Sequence, residues 1–322
     1  MKNNFNIYCQ YNKQMKILIT GATGLIGKAI IRLALNQNFK VNYLTRDKTK
    51  IKSSANCNGF YWDINKDYID LKCFEGVNVI INLAGEKIFQ KWTNQAKKEI
   101  LYSRIKPINL LIKGIKSSKE ITIKSFISAS AIGIYQSNFE KYYSEDEIDD
   151  PRNFIQKIVS DWEKKSLSVR KYIPNTSILR IGLVLSKNDG YMKETDFPMK
   201  FGFGIQLGSG EQWQSWIHID DIANIFLFIA KLNLSGIYNA VAPKPLIQKI
   251  FLKKIRETNS RKFIIIKLPS FFLRFLFGER ACLLIDSHRV SSKKIIKLGY
   301  KFLYNEADHA LNNLYKRNDN LT

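Results

Sequence analysis

The feature that most constrains this 322-residue chain is the run Gly21-Ala-Thr-Gly24-Leu-Ile-Gly27. It follows an apolar, β-rich stretch over 15–20 and opens a stretch over 28–36 in which Ala29, Ile30, Leu33 and Ala34 recur at helical spacing. Strand, glycine turn and helix in that order make an anion site. Glycine permits a positive φ and a close approach of backbone N–H groups, and the helix start adds partial positive charge. A tight turn without a ligand is the bland alternative. In this context the motif points to the pyrophosphate of a dinucleotide, held by Gly21, Thr23, Gly24, Leu25, Ile26 and Gly27.

The alternation continues downstream. Strand patterns at 41–44, 60–62, 77–83 and 124–130 are separated by polar or helical stretches, with helical spacing over 93–115, interrupted by Pro107, and over 154–172. An extended run covers 176–185. Such alternation predicts an α/β chain with a doubly wound parallel sheet covered on both faces, the Rossmann architecture. Beyond Gly210 the pattern loosens, leaving one helix at 222–231 and a tail of short elements. The expected division is a nucleotide-binding domain over 15–190, to which later segments return, and a smaller substrate lobe over 191–322 above the sheet's carboxyl edge. Residues 1–14 have neither the apolar centre nor the small-residue cleavage site of a secretory signal and read as a disordered leader. A transit peptide is the alternative, weakened by the lack of arginine there.

Composition narrows the partners. With 51 basic and 28 acidic residues the formal charge is +23, which would suit nucleic acid if the lysines clustered. They are dispersed, and no recognition helix or base-stacking motif is legible, so a solvated basic surface and a small-molecule ligand are expected instead of nucleic acid. Four scattered cysteines (Cys9, Cys57, Cys73, Cys282) form no disulfide framework, and the three histidines lack neighbours at ligand spacing, so no metal site is expected. A reducing, cytoplasmic compartment fits, with an organellar stroma or matrix as the alternative. No apolar run reaches the roughly 18 residues of a membrane span. Nothing in the sequence marks an oligomeric state.

At the end of the second strand stands Thr45-Arg46-Asp47, where the adenosine ribose of a bound dinucleotide belongs. A carboxylate there grips a 2′-hydroxyl; an arginine accommodates a 2′-phosphate. Arg46 therefore favours NADP over NAD, an exposed loop cation being the other reading. Asp63, at the end of the third strand beside Trp62, borders the adenine or caps a turn.

Further motifs then line up. The segments Asn82-Leu-Ala-Gly85-Glu86, Trp92-Thr93, Ser103-Arg104-Ile105, Ser128 to Tyr135, Asp161-Trp-Glu163, Leu179-Arg180, Gly208-Ser-Gly210 and Trp216-Ile-His218-Ile-Asp220-Asp221 accompany the glycine turn. In the tail stand Leu268-Pro269, Leu276-Phe-Gly278-Glu279, Arg289-Val290 and Gly299-Tyr300. With these the chain, from about 15 to 314, resembles the atypical extended short-chain dehydrogenases/reductases, and within them the YfcH-like group of sugar-nucleotide epimerase-like proteins with a small C-terminal domain, here about 265–314. The resemblance implies NADP(H) binding, with Asn82, Leu83, Ala84, Gly85 and Arg104 on the cofactor side and Arg180 near the nicotinamide or substrate mouth. It also implies that the segment of Trp216, His218 and Asp220 returns to the active-site cleft.

The expected chemistry is that of an oxidoreductase or epimerase acting on a small polar, possibly nucleotide-linked, substrate. Extended members pair a serine with Tyr-x-x-x-Lys on the next helix, the lysine acidifying the tyrosine from the same helical face. Aligning Glu163 with the glutamate that follows such a lysine places Ile155 and Val159 at those two positions, and neither transfers a proton. The strings Tyr68 to Lys72 and Tyr102 to Lys106 precede the fifth strand and read as chance. The remaining candidates are Ser130, Tyr135, Glu86 and His218, against strand-end capping for Ser130, helix capping for Glu86 and a structural role for His218. The alternative function is a catalytically reduced NADP(H)-binding scaffold or redox-sensing protein. Some relatives in photosynthetic lineages are linked to cell or plastid division, and such a role is one form of it.

Overall fold

The computed structural model describes residues 14–118, 123–147, 149–187, 189–259 and 262–316. Apart from Gln14, the expected leader lies outside them. The chain opens with β1 (Lys16–Thr20), whose Ile17, Leu18 and Ile19 are wholly buried, as a strand covered on both faces requires. There follow α1 (Leu25–Asn36), β2 (Lys40–Thr45), β3 (Cys57–Asp63), β4 (Tyr68–Ile69), β5 (Val79–Asn82), α2 (Asn94–Ser117), β6 (Ser125–Ala131) and α3 (Phe154–Leu167). Strand Asn175–Ile181 pairs with β6, and strand Gly236–Ala240 pairs with Asn175–Ile181. Read from that edge the sheet continues through β6, β5, β1, β2 and β3 to β4, all parallel except the β3–β4 pair.

The order reverses at β1, which lies between β2 and β5, so the crevice for a ligand opens at their carboxyl ends. Pro107 does not interrupt α2, which runs unbroken from Asn94 to Ser117. Proline removes one backbone donor, but Ile100, Ile108, Leu111 and Ile115 are all buried along the helix, and their packing holds it together across the missing bond.

After α3 the chain adds α4 (Gly190–Met199) and α5 (Ile219–Leu232). The sheet's edge strand Gly236–Ala240 thus comes from beyond Gly190, and α5 contributes Ile222, Ile225, Phe226 and Ile229 to the main core. A second core gathers Met192, Met199, Trp216, Phe251, Leu252, Ile255, Phe263, Leu311 and Leu314. It includes a helix, α6 (Gln248–Thr258), in a region where the sequence pattern had loosened. The two parts meet at the carboxyl ends of β6 and Asn175–Ile181, where Ala131 and Ile181 share a cavity with Leu207, Trp213 and Cys282. Among the described residues no helix is long and apolar enough to cross a membrane.

Candidate functional site

The glycine turn explains its own residue types. Gly21 has φ +67°, and a methyl there would stand 2.7 Å from the Leu83 carbonyl oxygen; one on Gly27 would stand 2.5 Å from that of Gly21. The first glycine therefore lets the turn pass against the chain leaving β5, and the third lets α1 close on the turn. Gly24 is the N-cap of α1, with no side-chain cap and no acidic residue in the first turn. The helix start thus carries its partial positive charge without a built-in anion.

A groove of about 780 Å3 opens in front of this turn. Gly21, Thr23 and Gly24 form one end, Leu83, Ala84, Gly85 and Glu86 the floor, and Leu44 to Asp47 with Trp62 and Ile64 the far wall. The floor is held from beneath by Thr20, a residue the sequence reading passed over. Its buried hydroxyl donates to Asn82 Oδ1 (2.7 Å) and accepts from the N–H groups of Leu83 (3.1 Å) and Ala84 (3.2 Å). Asn82 also donates to Ser128 Oγ and is wholly buried. It is a strut between strands and, unlike its three successors, does not line the groove. Leu25, Ile26 and Gly27, the first residues of α1, are likewise not part of the groove lining.

At the far wall the two charged neighbours separate. Asp47 is the N-cap of the turn that follows: its carboxylate accepts from the Thr49 N–H (3.0 Å) and hydroxyl (2.6 Å) and pairs with Lys50. The Thr49 hydroxyl and Lys50, with the Thr49 N–H, hold that carboxyl below its ordinary range. Arg46 is exposed on the groove wall together with Lys50. Asp63 is committed elsewhere, accepting from Asn65 N–H, Lys66 N–H and the Tyr61 hydroxyl at the turn after β3; it is not part of the groove lining.

Deeper in, a cavity of about 320 Å3 lies between the sheet end and the second lobe. Ile88, Ile132, Ile155, Ile158, Val159 and Trp162 make most of its near wall. The two positions where the resemblance expects tyrosine and lysine thus face the cavity with branched hydrocarbon. Arg104 lies between groove and cavity. It is packed against Gly85 and over the Trp162 ring, and it donates to the carbonyls of Ile100 (2.9 Å) and Glu86 (3.1 Å). Burial lowers its pKa to about 10, against the pull of Glu86, and it remains a cation at neutral pH. Glu86 itself is exposed at the groove rim, its N–H donating to Ser103 Oγ.

Three other candidates form one buried network. Ser130 and Arg180 sit side by side in register on β6 and Asn175–Ile181, and both reach Glu163 of α3. Ser130 donates to Glu163 Oε1 (2.6 Å), and Arg180 makes two bonds of 2.9 Å to the same carboxylate. Arg180 also donates to the Tyr135 hydroxyl (3.0 Å), which in turn donates to Asn239 Oδ1 (2.7 Å). Burial works to lower the Arg180 pKa, but Glu163 outweighs it and raises it; burial pushes Tyr135 up to about 12. Arg180 is wholly buried and lines neither cavity, so it is not at the cofactor or substrate mouth. Ser130 likewise faces Glu163, and Tyr135 borders the inner cavity with its hydroxyl turned into the network. His218 is separate again. It is buried as the N-cap of α5, accepting from the Asp220 N–H through Nδ1, with its ring 3.9 Å from that of Tyr304.

Besides Tyr191 of α4, the inner cavity contains two further titratable residues that no sequence motif marks, Asp286 and His288. They lie in the tail, where short elements give no periodicity to point at a site.

The model of the NAD dependent epimerase/dehydratase family matches residues 17–240, well over half of the chain. The chain belongs to this family. A second model, for a domain of unknown function (DUF1731), matches residues 268–314. Among the family's proteins the chain is 32% identical to the epimerase family protein YfhF of Bacillus subtilis, over 93% of this chain and 98% of that one. It is 29% identical to the chloroplastic SDR39U1 homolog of Arabidopsis thaliana, over 95% and 89%. The solved human epimerase family protein SDR39U1, isoform 2, with NADPH, superposes with a TM-score of 0.81 at 26% identity, covering 94% of this chain and 100% of that one. The UDP-N-acetylglucosamine 4-epimerase of Bacillus cereus shares the fold at 17% identity and a TM-score of 0.73. The YfcH-like resemblance read from the sequence agrees with these matches, and so does the Rossmann sheet.

Proposed function

We propose that this family member binds NADP(H) in the groove and uses it to exchange hydride with a compact substrate held in the inner cavity. The observation that carries the choice of cofactor is the split between Arg46 and Asp47. Both residues line the groove, and an acidic side chain at this wall would select a 2′-hydroxyl, but the Asp47 carboxylate is bonded to Thr49 and Lys50 of its own turn while Arg46 is exposed. The human relative solved with NADPH supports the same reading. The bound nicotinamide supplies or accepts the hydride. Gly21, Thr23 and Gly24 give the diphosphate its backbone cradle, Gly27 lets α1 close on that turn, Thr20 fixes the floor through Leu83 and Ala84, and Arg104 stands where the groove meets the cavity.

The cavity's hydrocarbon wall favours a substrate with an apolar body and one or two polar handles. A sugar, whether free or nucleotide-linked, presents hydroxyls all round and would leave them unpaired against Ile155, Ile158 and Val159. Those same residues favour a second reading, a nucleotide-binding protein without turnover.

Titrating purified protein with NADPH and with NADH while following tryptophan emission tests the first reading, since Trp62 lines the groove. Micromolar binding of NADPH with weaker binding of NADH is the expected result. Binding of neither at millimolar concentration would remove the proposal. NADPH binding with no hydride transfer to any carbonyl compound would leave the second reading in its place.

A further inference from the structure

A carbonyl that receives hydride must also receive a proton, and α3 presents Ile155, Ile158, Val159 and the indole of Trp162 to the inner cavity, none of which gives up a proton near neutrality. The other groups on its wall can be taken in turn. Tyr135 holds its proton in the bond to Asn239, and burial raises its pKa to about 12. Tyr191 donates to Gln214 and is likewise raised by burial. The Cys282 thiol is pushed up to about 11 by burial and by neighbouring Asp286. Arg104 remains a bound cation. His288 Nε2 lies 3.1 Å from the Tyr135 carbonyl oxygen, a contact that only an N–H there makes favourable. Burial lowers the His288 pKa to about 4, so the ring is neutral and that proton is committed.

Asp286 differs from all of these in position. It follows the short helix Cys282–Ile285 and, with Leu207, borders both the inner cavity and a smaller one of about 160 Å3. Ser137, Ser209, Ser270 and Arg274 line that second, partly open chamber. The carboxyl therefore stands between the space for a substrate oxygen and a hydroxyl-lined route to water.

We propose that the Asp286 carboxyl is the proton donor of this site, acting from the C-terminal segment where α3 has no group to offer. The inference rests on the NADP(H)-dependent reading above. As the carbonyl carbon takes hydride from NADPH, the C=O π pair becomes an O–H bond with the Asp286 proton. The carbonyl is reduced to an alcohol, the nicotinamide is oxidised, and Asp286 is left as a carboxylate that regains a proton from water through the smaller chamber. The oxidation runs the same path backwards. Arg274 from the helix Ser270–Phe277 and Cys282 from the preceding short helix interact electrostatically with Asp286, and Arg104, Tyr135, Tyr191 and His288 are the other titratable groups lining the same inner cavity. Burial raises the carboxyl to about 6 while Arg274 pulls it down, so a usable fraction is protonated near neutrality.

The test uses the full chain, wild type and the variants Asp286→Asn and Asp286→Glu, each checked by thermal melting. N,N′-dicyclohexylcarbodiimide, which couples to protonated carboxyls in apolar surroundings, is applied across the acidic to mildly basic range and the adduct mapped by mass spectrometry. Asp286 is expected to be labelled in the wild type, with labelling falling about tenfold per pH unit above its midpoint. No adduct at Asp286, or labelling independent of pH, would overturn the proposal. NADPH oxidation is then followed with benzaldehyde, acetophenone and 9,10-phenanthrenequinone. The asparagine variant should bind NADPH like the wild type yet lose at least about 100-fold in kcat, together with the fall in rate that the wild type shows as pH rises through the Asp286 pKa, with partial rescue by glutamate. Turnover retained in Asp286→Asn would refute the assignment alone. Wild-type protein that binds NADPH but reduces none of the three would instead refute the reductase reading, and the donor role with it.

Discussion

Replacing Arg46 with alanine isolates the contact that distinguishes the two nicotinamide cofactors. NADPH and NADH share every feature except the 2′-phosphate, and Arg46 is the exposed groove-wall cation that the proposed function assigns to it. A hydrogen bond to a charged group contributes about 1.5–3 kcal/mol, and an exposed arginine belongs at the lower end because water and salt screen it. About 1.4 kcal/mol is tenfold in Kd, so Arg46→Ala should weaken NADPH about tenfold and leave NADH within about twofold. Lys50 on the same wall keeps part of the field but lacks the planar fork that matches a phosphate. Fluorescence titrations with both cofactors, at low salt and at about 0.5 M, give the ratio directly, and the tenfold effect should shrink as salt shortens the Debye length. Equal losses for the two cofactors would put Arg46 on the shared diphosphate, and an unchanged NADPH affinity would remove it from the site.

Other perturbations have equally definite outcomes. Gly21→Ala combines left-handed backbone strain of about 1–2 kcal/mol with a backbone clash at Leu83, so chemical denaturation should show a loss of about 2–5 kcal/mol together with lost NADPH binding. Wild-type stability would contradict it. Glu163→Ala strands the buried Arg180 and should cost about 3–5 kcal/mol, while NADPH affinity in the folded fraction is unchanged because neither residue lines the groove. A selective loss of cofactor binding would show the network to be part of the site. Asp286 and His288 give opposing pH terms. The raised folded pKa of Asp286 gives stability that is present below its unfolded value of 3.8 and lost as pH rises through about 6. The lowered folded pKa of His288 gives stability that is present above its unfolded value of 6.5 and lost as pH falls through about 4. Asp286→Asn removes the first term, so its melting temperature should climb more steeply with pH between about 4 and 6 than that of the wild type. Parallel curves would refute the shift at Asp286.

The parts of this molecule that could be read from sequence are those whose signal is local. The glycine turn carries its geometry in three residues, and Arg46 carries its meaning in its distance from them. Asn82 shows where that reading thins. In β5 all four residues are buried on both faces, so no alternation separates a side chain that lines a groove from one that braces the sheet. Arg180, expected near the nicotinamide or substrate mouth, is wholly buried behind Tyr135 for a related reason. Its partner is decided by register: Ser130 lies beside it and Glu163 comes from a helix, a coincidence of three elements that no spacing along the chain reveals. Asp286 and His288 were out of reach altogether, because they enter the cavity from a tail whose short elements carry no periodic pattern.

The Ser130–Glu163–Arg180–Tyr135 network also bears on where chemistry can occur. In the arrangement the resemblance implied, the end of β6 and the face of α3 supply the proton-handling groups. Here those two elements are joined by a carboxylate bound bidentately to an arginine at 0% exposure, and the serine and tyrosine hydroxyls are both held within the same set of bonds. Freeing either hydroxyl for a substrate would break a short bond to a buried charged or amide partner, a cost of about 1–3 kcal/mol before any chemistry begins. With Ile155 and Val159 facing the cavity, this side of the cleft is built to stay fixed. On the proposed reading the proton comes from the opposite wall, where Asp286, in the segment from Cys282 to His288, borders both the inner cavity and the smaller chamber.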